Sequence, residues 1–154
     1  MIYLDSSAFV KRYLKEEGTD ALKLIISKGK MIATSKLTFP ELISAFMRKQ
    51  RTGEVTKKSL ETALETFEAD WDKIFVVEFH DELLPKIKLL IGKYPLKGGD
   101  AVHLSSALWL QQTVKEKVTF VASDEGLLRA ARSEKLTILN PINDEAVDSA
   151  EPRL

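Results

Sequence analysis

The chain has 154 residues, of which 44% are apolar and 30% are charged, and this is the size and composition of one globular domain. Lysine and arginine together number 23, as do aspartate and glutamate, which excludes the overall positive charge typical of many nucleic-acid-binding proteins. Because cysteine is absent, a disulfide framework and a thiolate metal site are excluded as well. No apolar run approaches the roughly 18 residues of a membrane span, so we expect a cytoplasmic protein with no membrane partner.

Short apolar runs alternate with longer segments of helical periodicity along the chain. The apolar and β-branched runs predict strands at residues 2–4, 31–34, 74–77, 118–122 and 136–139. The periodic segments predict helices at residues 8–14, 19–29, 38–53, 56–71, 81–93, 100–112 and 124–133. Strands separated by one or two helices need crossover connections, so we expect an α/β fold with a mainly parallel sheet and helices on both faces.

The domain organisation is predicted to be simple. We expect a single domain over residues 1–140, because the sequence contains no repeat, low-complexity tract or interdomain linker. Residues 141–154 are rich in acidic side chains and contain little to bury. This composition predicts a poorly ordered acidic C-terminal tail.

Four acidic residues are predicted to lie at one edge of this sheet. Asp5 follows the first strand and Asp124 follows the fourth, so both lie at the carboxyl ends of strands, where α/β sheets bind ligands. Glu41 is in the first turn of the helix after the second strand, and Asp100 begins a helix after a Lys-Gly-Gly segment. Two carboxylates about 4 Å apart repel by roughly 4 kcal/mol at an effective dielectric constant of about 20, so such a cluster needs a cation or protons. Oxygen donors favour Mg²⁺ or Mn²⁺ over zinc, and such a site suits hydrolysis of a phosphodiester.

Helix capping is the alternative interpretation of the same residues. Aspartate is a favoured N-cap residue that contributes about 1 kcal/mol, and helix N-termini favour negative charge. The segment from Thr38 to Glu41 also has the spacing of a capping box. Capping explains each acid singly, but it gives no reason for four acids to converge on one sheet edge.

The segments around these acids resemble the PIN-domain ribonucleases, and specifically the VapC-type toxins of bacterial and archaeal toxin–antitoxin pairs. The similarity covers residues 1–140 through the segments MIYLDSSAFVKRYLKEEG, ATSKLTFPELISAF, GGDAVHLSSAL and FVASDEGLLRAA. The resemblance implies a PIN-like three-layer α/β/α fold with a central parallel sheet of four or five strands. It also implies an acidic quartet made of Asp5, Glu41, Asp100 and Asp124. Ser6 and Ser123 match hydroxyl positions that support the site in the family.

The activity implied by the resemblance is metal-dependent endoribonuclease cleavage that leaves a 5′-phosphate and a 3′-hydroxyl. Asp5 and Asp100 would be the principal ligands of Mg²⁺ or Mn²⁺, Glu41 would hold the metal or orient the water, and Asp124 would help a second ion. The resemblance also implies an RNA substrate, a homodimer and a cognate antitoxin whose C-terminal segment fills the active-site groove. The alternative function is a non-catalytic PIN-like scaffold that binds RNA or proteins.

Other polar residues have ordinary structural interpretations. His103 lies on the predicted helix that begins at Asp100, and we interpret it as a packed or surface residue rather than a catalytic base. Arg48, Lys49 and Arg51 form the densest basic stretch. They either contact RNA phosphates or interact with the dipole of the helix whose C-terminus they occupy, and the sequence favours neither interpretation.

Overall fold

A computed structural model describes residues 1–143 of the chain. In this part of the chain the strands are β1 (Ile2–Leu4), β2 (Ile32–Ser35), β3 (Phe75–Val77), β4 (Thr119–Val121) and β5 (Thr137–Leu139). The α-helices are α1 (Ser6–Phe9), α2 (Thr19–Ser27), α3 (Thr38–Arg51), α4 (Lys57–Trp71), α5 (Leu84–Lys93), α6 (Gly98–Val114) and α7 (Glu125–Ser133). Short 3₁₀ turns extend α1 over Val10–Arg12 and precede α5 at Asp81–Leu83. Every predicted element is present, with its ends shifted by a few residues.

Local sequence explains the starts of some helices. Thr56 is the N-cap of α4, as the predicted start at this residue requires, and its side chain accepts a hydrogen bond from the Ser59 N–H at 3.1 Å. The start predicted for α6 at Asp100 is wrong, since the helix begins at Gly98. The first N–H groups of a helix have no acceptor within it, so glycines are less costly there than in a helix interior.

All five strands belong to one parallel sheet, with the order β3-β2-β1-β4-β5. This confirms the predicted parallel sheet and selects five strands over four. The chain runs outward from β1 through β2 to β3, and then crosses back to place β4 on the other side of β1. Such a reversal of direction opens a crevice outside the carboxyl ends of the two strands that flank it. In this fold those strands are β1 and β4.

The two faces of the sheet are covered by separate hydrophobic cores, which confirms the three-layer architecture. Side chains alternate across a strand, so Ile2 and Leu4 point to one face of β1 and Tyr3 points to the other. Ile2 and Leu4 join a core that includes Phe67 of α4 and residues of α1, α2 and α3. Tyr3 joins the opposite core, where its ring stacks on Phe120 with the ring centroids 5.5 Å apart, beside residues of α5, α6 and α7. The Tyr3 ring therefore lies in the layer that contains α6.

The end of the described chain packs on the body of the protein. Pro141 is buried, and its backbone passes close to Gly18, where an added Cβ would lie 3.1 Å from the Pro141 carbonyl carbon. Residues 144–154 lie outside the described residues, so the division into a domain over 1–140 and an acidic tail over 141–154 stays a prediction. Among residues 1–143, no helix combines the length and the apolar character that crossing a bilayer would require.

Candidate active site

The four predicted acids lie around the carboxyl-terminal edge of the sheet. Asp5 directly follows β1, and Asp124 lies three residues after the end of β4. Glu41 is in the first turn of α3, and Asp100 is in the first turn of α6. The charge of Asp100 raises the pKa of Asp5, and the charge of Asp124 raises the pKa of Asp100. Asp100 is therefore close enough to interact electrostatically with both of the other carboxylates. Glu41 and Asp5 both act on Tyr3, which places Glu41 in the same neighbourhood.

Asp5 is a buried carboxylate with only 4% of its surface exposed. It is the N-cap of α1, because its Oδ1 accepts a hydrogen bond from the Ala8 N–H at 2.9 Å. The Ser7 hydroxyl lies 2.8 and 2.9 Å from its two oxygens. Burial raises the pKa of Asp5, and the charge of Asp100 adds to this effect. Within residues 1–143 no lysine or arginine forms an ion pair with Asp5, and the charge of His103 and the hydrogen bonds from Ala8 and Ser7 only partly offset the effect of burial on its pKa.

The hydroxyl group that holds Asp5 in place is not one of the two that the sequence analysis selected. Ser7, which the analysis did not select, donates to Asp5 and accepts a hydrogen bond from the Ser123 N–H at 3.2 Å. Ser7 thus joins the ends of β1 and β4, and its position two residues after an N-cap aspartate was the available signal. The predicted supporting residue Ser123 contributes its backbone to this link. Its buried hydroxyl has no hydrogen-bond partner within the described residues.

Glu41 is held by two donors on one oxygen. The Ser6 hydroxyl donates to Glu41 Oε1 at 2.7 Å, and His103 Nε2 lies 2.7 Å from the same atom. Burial alone would raise the pKa of Glu41, but the hydrogen bonds from His103 and Ser6 outweigh it and hold the pKa below its usual value. The carboxylate is therefore ionised and carries one oxygen, Oε2, that no described residue hydrogen-bonds.

The capping-box interpretation of this segment is wrong. Leu37 occupies the N-cap of α3 and makes no side-chain cap. The Thr38 hydroxyl is instead 2.6 Å from the Thr34 hydroxyl on β2, buried beneath the helix. Glu41 is therefore turned towards Ser6 and His103 rather than back to its own helix.

Capping and clustering coexist for the other two acids. Asp124 is the N-cap of α7, where it accepts a hydrogen bond from the Leu127 N–H at 2.8 Å, and it is exposed at the rim of the site. Asp100 is half-buried and accepts a hydrogen bond from the Lys97 N–H. Burial, followed by the charge of Asp124, raises the pKa of Asp100. Capping therefore fixes the directions of these carboxylates without neutralising them.

His103 is packed, as the sequence analysis expected, but it is packed against the site. Its side chain is 3% exposed, and its ring nitrogens contact Glu41 on one side and the Tyr3 hydroxyl on the other. A histidine one helical turn after an acid, on a helix whose residues 101–107 are all buried, was the available signal.

The carboxylates do not form a ready-made cage for a metal. Within residues 1–143, no three histidine, aspartate or glutamate side chains converge as a ligand set. The acids are coupled in pairs instead, Asp5 with Asp100 and Asp100 with Asp124. Mg²⁺ commonly binds through one or two carboxylates and keeps several of its waters. The buried charge of Asp5 beside Asp100 fits such a hard cation.

A cleft of about 600 Å³ runs along α3, and of the four predicted acids Glu41 lines it. Glu41 lies near one end, and Arg48, two helical turns further on, lines the other end. Lys11 and Lys49 also line this cleft, but both contact the carboxylate of Glu16, so their charges are partly compensated. Arg48 is exposed, and its guanidinium group has no hydrogen-bond or ion-pair partner within residues 1–143. The cleft therefore presents one uncompensated cation.

Comparison with known proteins identifies relatives of this chain. The sequence model described as "PIN domain" matches residues 2–133. Two proteins from strains of Mycobacterium tuberculosis, named Ribonuclease VapC45 and Ribonuclease VapC49, are each 30% identical over 112 residues, which are 70% of this chain and 75% of each relative.

Several solved structures are similar to this chain in fold. FitAcB from Neisseria gonorrhoeae superposes with a TM-score of 0.66 at 15% identity, covering 92% of this chain and 98% of that one. VapBC2 from Rickettsia felis, bound to a DNA fragment from its promoter, has a TM-score of 0.62 at 16% identity, with coverages of 91% and 98%. At these low identities the similarity concerns the fold. The family match over most of the sequence and the identity with the two ribonucleases agree with it, and the chain belongs to the PIN-domain family.

Proposed function

We propose that this protein is a metal-dependent endoribonuclease, the toxin of a toxin–antitoxin pair, that uses Mg²⁺ or Mn²⁺. The observation that carries the proposal is the buried Asp5 carboxylate at the β1–β4 crevice, beside Asp100 and with no ion pair to a lysine or arginine among the described residues. The names of the two curated relatives supply the reaction class, since both are called ribonucleases.

The side chains have distinct tasks in this proposal. Asp5 and Asp100 would hold the metal ion, and Asp124 at the rim would help a second one. A bound divalent ion would lower the pKa of a water and steady the oxygens of the phosphodiester. Glu41, ionised and with Oε2 unpaired, would accept a hydrogen bond from the attacking water or contact the ion. Ser7 and Ser6 keep the carboxylates of Asp5 and Glu41 aimed at the crevice.

The cleft along α3 suits a single RNA strand. An α-helix rises about 1.5 Å per residue, so Arg48 lies roughly 10 Å along the helix axis from Glu41. An arginine at this distance can bind a phosphate next to the cleaved bond, because guanidinium groups pair well with phosphate oxygens. Of the basic stretch, Arg48 and Lys49 line the cleft, and only Arg48 is uncompensated there.

The proposal includes protein partners. The solved structures that share the fold of this chain include a toxin–antitoxin complex from Klebsiella pneumoniae and VapBC2. This similarity supports a cognate antitoxin for this chain. A homodimer and a cytoplasmic location belong to the same proposal. Helix α5 exposes several large apolar side chains that a protein partner could cover, namely Leu84, Leu89 and Ile91.

An RNA cleavage assay tests the enzymatic part. Purified protein is incubated with structured and unstructured RNAs in Mg²⁺, in Mn²⁺ and in excess chelator, and the product ends are analysed. We expect metal-dependent products with 5′-phosphate ends, and we expect Asp5→Asn and Asp100→Asn to abolish them. Asp20→Asn is a matched control, because Asp20 is an exposed acid in the first turn of α2. Full activity in both site variants would refute the assignment of the activity to these acids, and a folded protein with no activity under any condition would support the scaffold alternative.

A growth assay tests the biological part. Induced expression of the wild-type chain should arrest bacterial growth, whereas Asp5→Asn should not. Normal growth with an active nuclease present would separate the enzyme from the toxin role.

A further inference from the structure

A buried chain of hydrogen bonds connects the sheet with Glu41. The Tyr3 hydroxyl lies 2.9 Å from His103 Nδ1, and His103 Nε2 lies 2.7 Å from Glu41 Oε1. Tyr3 is fully buried in the middle strand of the sheet, and His103 is 3% exposed. These side chains are separated by up to 100 positions in sequence and meet only because β1, α3 and α6 converge at this edge.

The direction of each hydrogen bond follows from the chemistry of its ends. The Ser6 hydroxyl and His103 Nε2 both lie 2.7 Å from Glu41 Oε1, and a carboxylate oxygen accepts hydrogen bonds, so His103 Nε2 carries a hydrogen. This donor is present in the neutral tautomer and in the imidazolium alike. In the neutral tautomer Nδ1 is an acceptor, which suits the Tyr3 hydroxyl. The Tyr3 hydroxyl then donates to Nδ1 across the 2.9 Å between them.

The arrangement fixes one particular orientation of Glu41. Both donors, the Ser6 hydroxyl and His103 Nε2, contact Oε1, which leaves Oε2 unpaired among the described residues. Oε2 points towards the N-terminus of α6, where an added Cβ on Gly99 would lie 3.5 Å away. Asp100 is the next residue. The hydrogen bonds therefore turn the open oxygen of Glu41 towards the first turn of α6, which contains Asp100.

We propose that His103 is a positioning residue that orients Glu41 for the metal and the attacking water, with Tyr3 holding the imidazole in place. This inference rests on the proposed function, because it assigns a task to a residue of the same site. It gives His103 no contact with RNA and no proton transfer. A glutamate with a flexible side chain would otherwise lose rotamer freedom each time it engaged the ion, and the preset hydrogen bonds remove that cost.

Two amide substitutions of His103 separate orientation from packing. The amide nitrogen of glutamine reaches about as far as Nε2 of histidine, whereas the amide of asparagine reaches only as far as Nδ1. His103→Gln can therefore still donate to Glu41, and His103→Asn cannot. Loss of a hydrogen bond that orients a ligand commonly lowers metal affinity or activity by about 10–100-fold. We expect this loss in His103→Asn and a value near that of the wild type in His103→Gln.

The primary measurement is Mn²⁺ affinity by isothermal titration calorimetry on the protein without RNA, with RNA cleavage rates measured in parallel. Ser105→Ala is the packing control, because Ser105 is buried on the same helix but bonds to the Leu83 carbonyl instead of Glu41. It should lower the melting temperature without changing Mn²⁺ affinity. Equal Mn²⁺ affinities for His103→Asn and His103→Gln would overturn the inference.

Two further measurements cover the case in which His103→Asn does not fold. Tyr3→Phe keeps the shape of the core and removes the hydroxyl, and it should weaken Mn²⁺ binding while leaving the fold intact. The ¹⁵N chemical shifts of the His103 ring should show a hydrogen on Nε2, and a ring protonated at Nδ1 alone would overturn the assignment. If the wild type itself neither binds Mn²⁺ nor cleaves RNA, the proposed function fails. A wild type that does both beside unaffected Tyr3→Phe and His103→Asn variants refutes only the role of His103.

Discussion

Replacing Asp5 by asparagine should have opposite effects on stability and on metal binding. Asparagine is as good an N-cap as aspartate, and its amide oxygen can still accept from the Ala8 N–H. What disappears is a buried negative charge that has Asp100 nearby and no ion pair to a described lysine or arginine. Relief of such functional strain commonly adds about 1 kcal/mol to the free energy of unfolding. For a chain of 154 residues this corresponds to a melting temperature higher by about 2–4 °C in chelator.

Added metal should make the wild type more stable than Asp5→Asn, the reverse of their order in chelator. A ligand at ten times its dissociation constant stabilises the folded state by about 1.4 kcal/mol, so Mg²⁺ or Mn²⁺ should raise the melting temperature of the wild type by a similar few degrees. Asp5→Asn should show little or no shift. The assay is thermal unfolding, followed by circular dichroism, with and without metal.

The difference in stability between Asp5→Asn and the wild type should depend on pH. Because burial raises the pKa of Asp5, the folded state binds this proton more tightly than the unfolded chain does. The penalty is therefore fully present above the raised pKa and fades as the pH falls towards the pKa of the unfolded chain. The advantage of Asp5→Asn in chelator should be largest at neutral pH and should shrink in acid.

If Asp5 serves only as a helix cap, Asp5→Asn should be no more stable than the wild type in chelator, so this alternative can be tested by experiment. Asp5→Ala removes the cap and should cost about 1 kcal/mol relative to Asp5→Asn. If Asp5→Asn is less stable than the wild type in chelator at pH 7, or if metal stabilises both equally, Asp5 is an ordinary cap. The reasoning about a buried charge awaiting a cation would then be refuted.

Three other substitutions test the cleft and the packing. Arg48→Gln should weaken RNA binding and reduce the slope of log affinity against log salt concentration by about 1. Arg51→Gln is the control on the same helix, outside the cleft, and should change the slope less. Equal effects of the two substitutions would contradict the role of Arg48. Gly18→Ala should destabilise the fold by at least about 1–2 kcal/mol, which is the cost of a left-handed backbone in a residue with a side chain. Gly18 has φ 90°, and an added Cβ would meet the Pro141 backbone. An unchanged midpoint of urea unfolding would contradict this packing. Phe67→Ala should cost about 3–5 kcal/mol in urea unfolding, because this fully buried ring contacts five other aromatic rings, and a loss under 1 kcal/mol would contradict the packing.

Sequence patterns predicted the elements because their causes are local. The apolar run at Ile2–Leu4 and the periodicity of α4 mark a strand and a helix through contacts within a few residues. Alternation of strands and helices also implied a parallel sheet, and the carboxyl-end rule then located Asp5 and Asp124 at one edge. The order of the strands did not follow from any local pattern, since it depends on which faces of the helices pack together.

The roles of the polar residues required the tertiary structure. Among the basic residues, sequence treated Arg48 and Lys49 alike, yet Glu16, 33 positions from Lys49, compensates one and leaves the other free. The capping-box spacing from Thr38 to Glu41 was present but not used, because Ser6 lies within reach of Glu41. Local preference is weak, about 1 kcal/mol, and a tertiary hydrogen bond to a charged group can exceed it.

By itself the sequence determined the order of the elements, the α/β class and the identity of the acids at the sheet edge. Only the tertiary structure decided which groups hold these acids: Ser7 for Asp5, and His103 with Tyr3 for Glu41. The physical reason is that the patterns that predict helices and strands depend on residues only a few positions apart in the sequence. Side-chain partners up to 100 positions apart are brought into contact only when the helices close over the sheet.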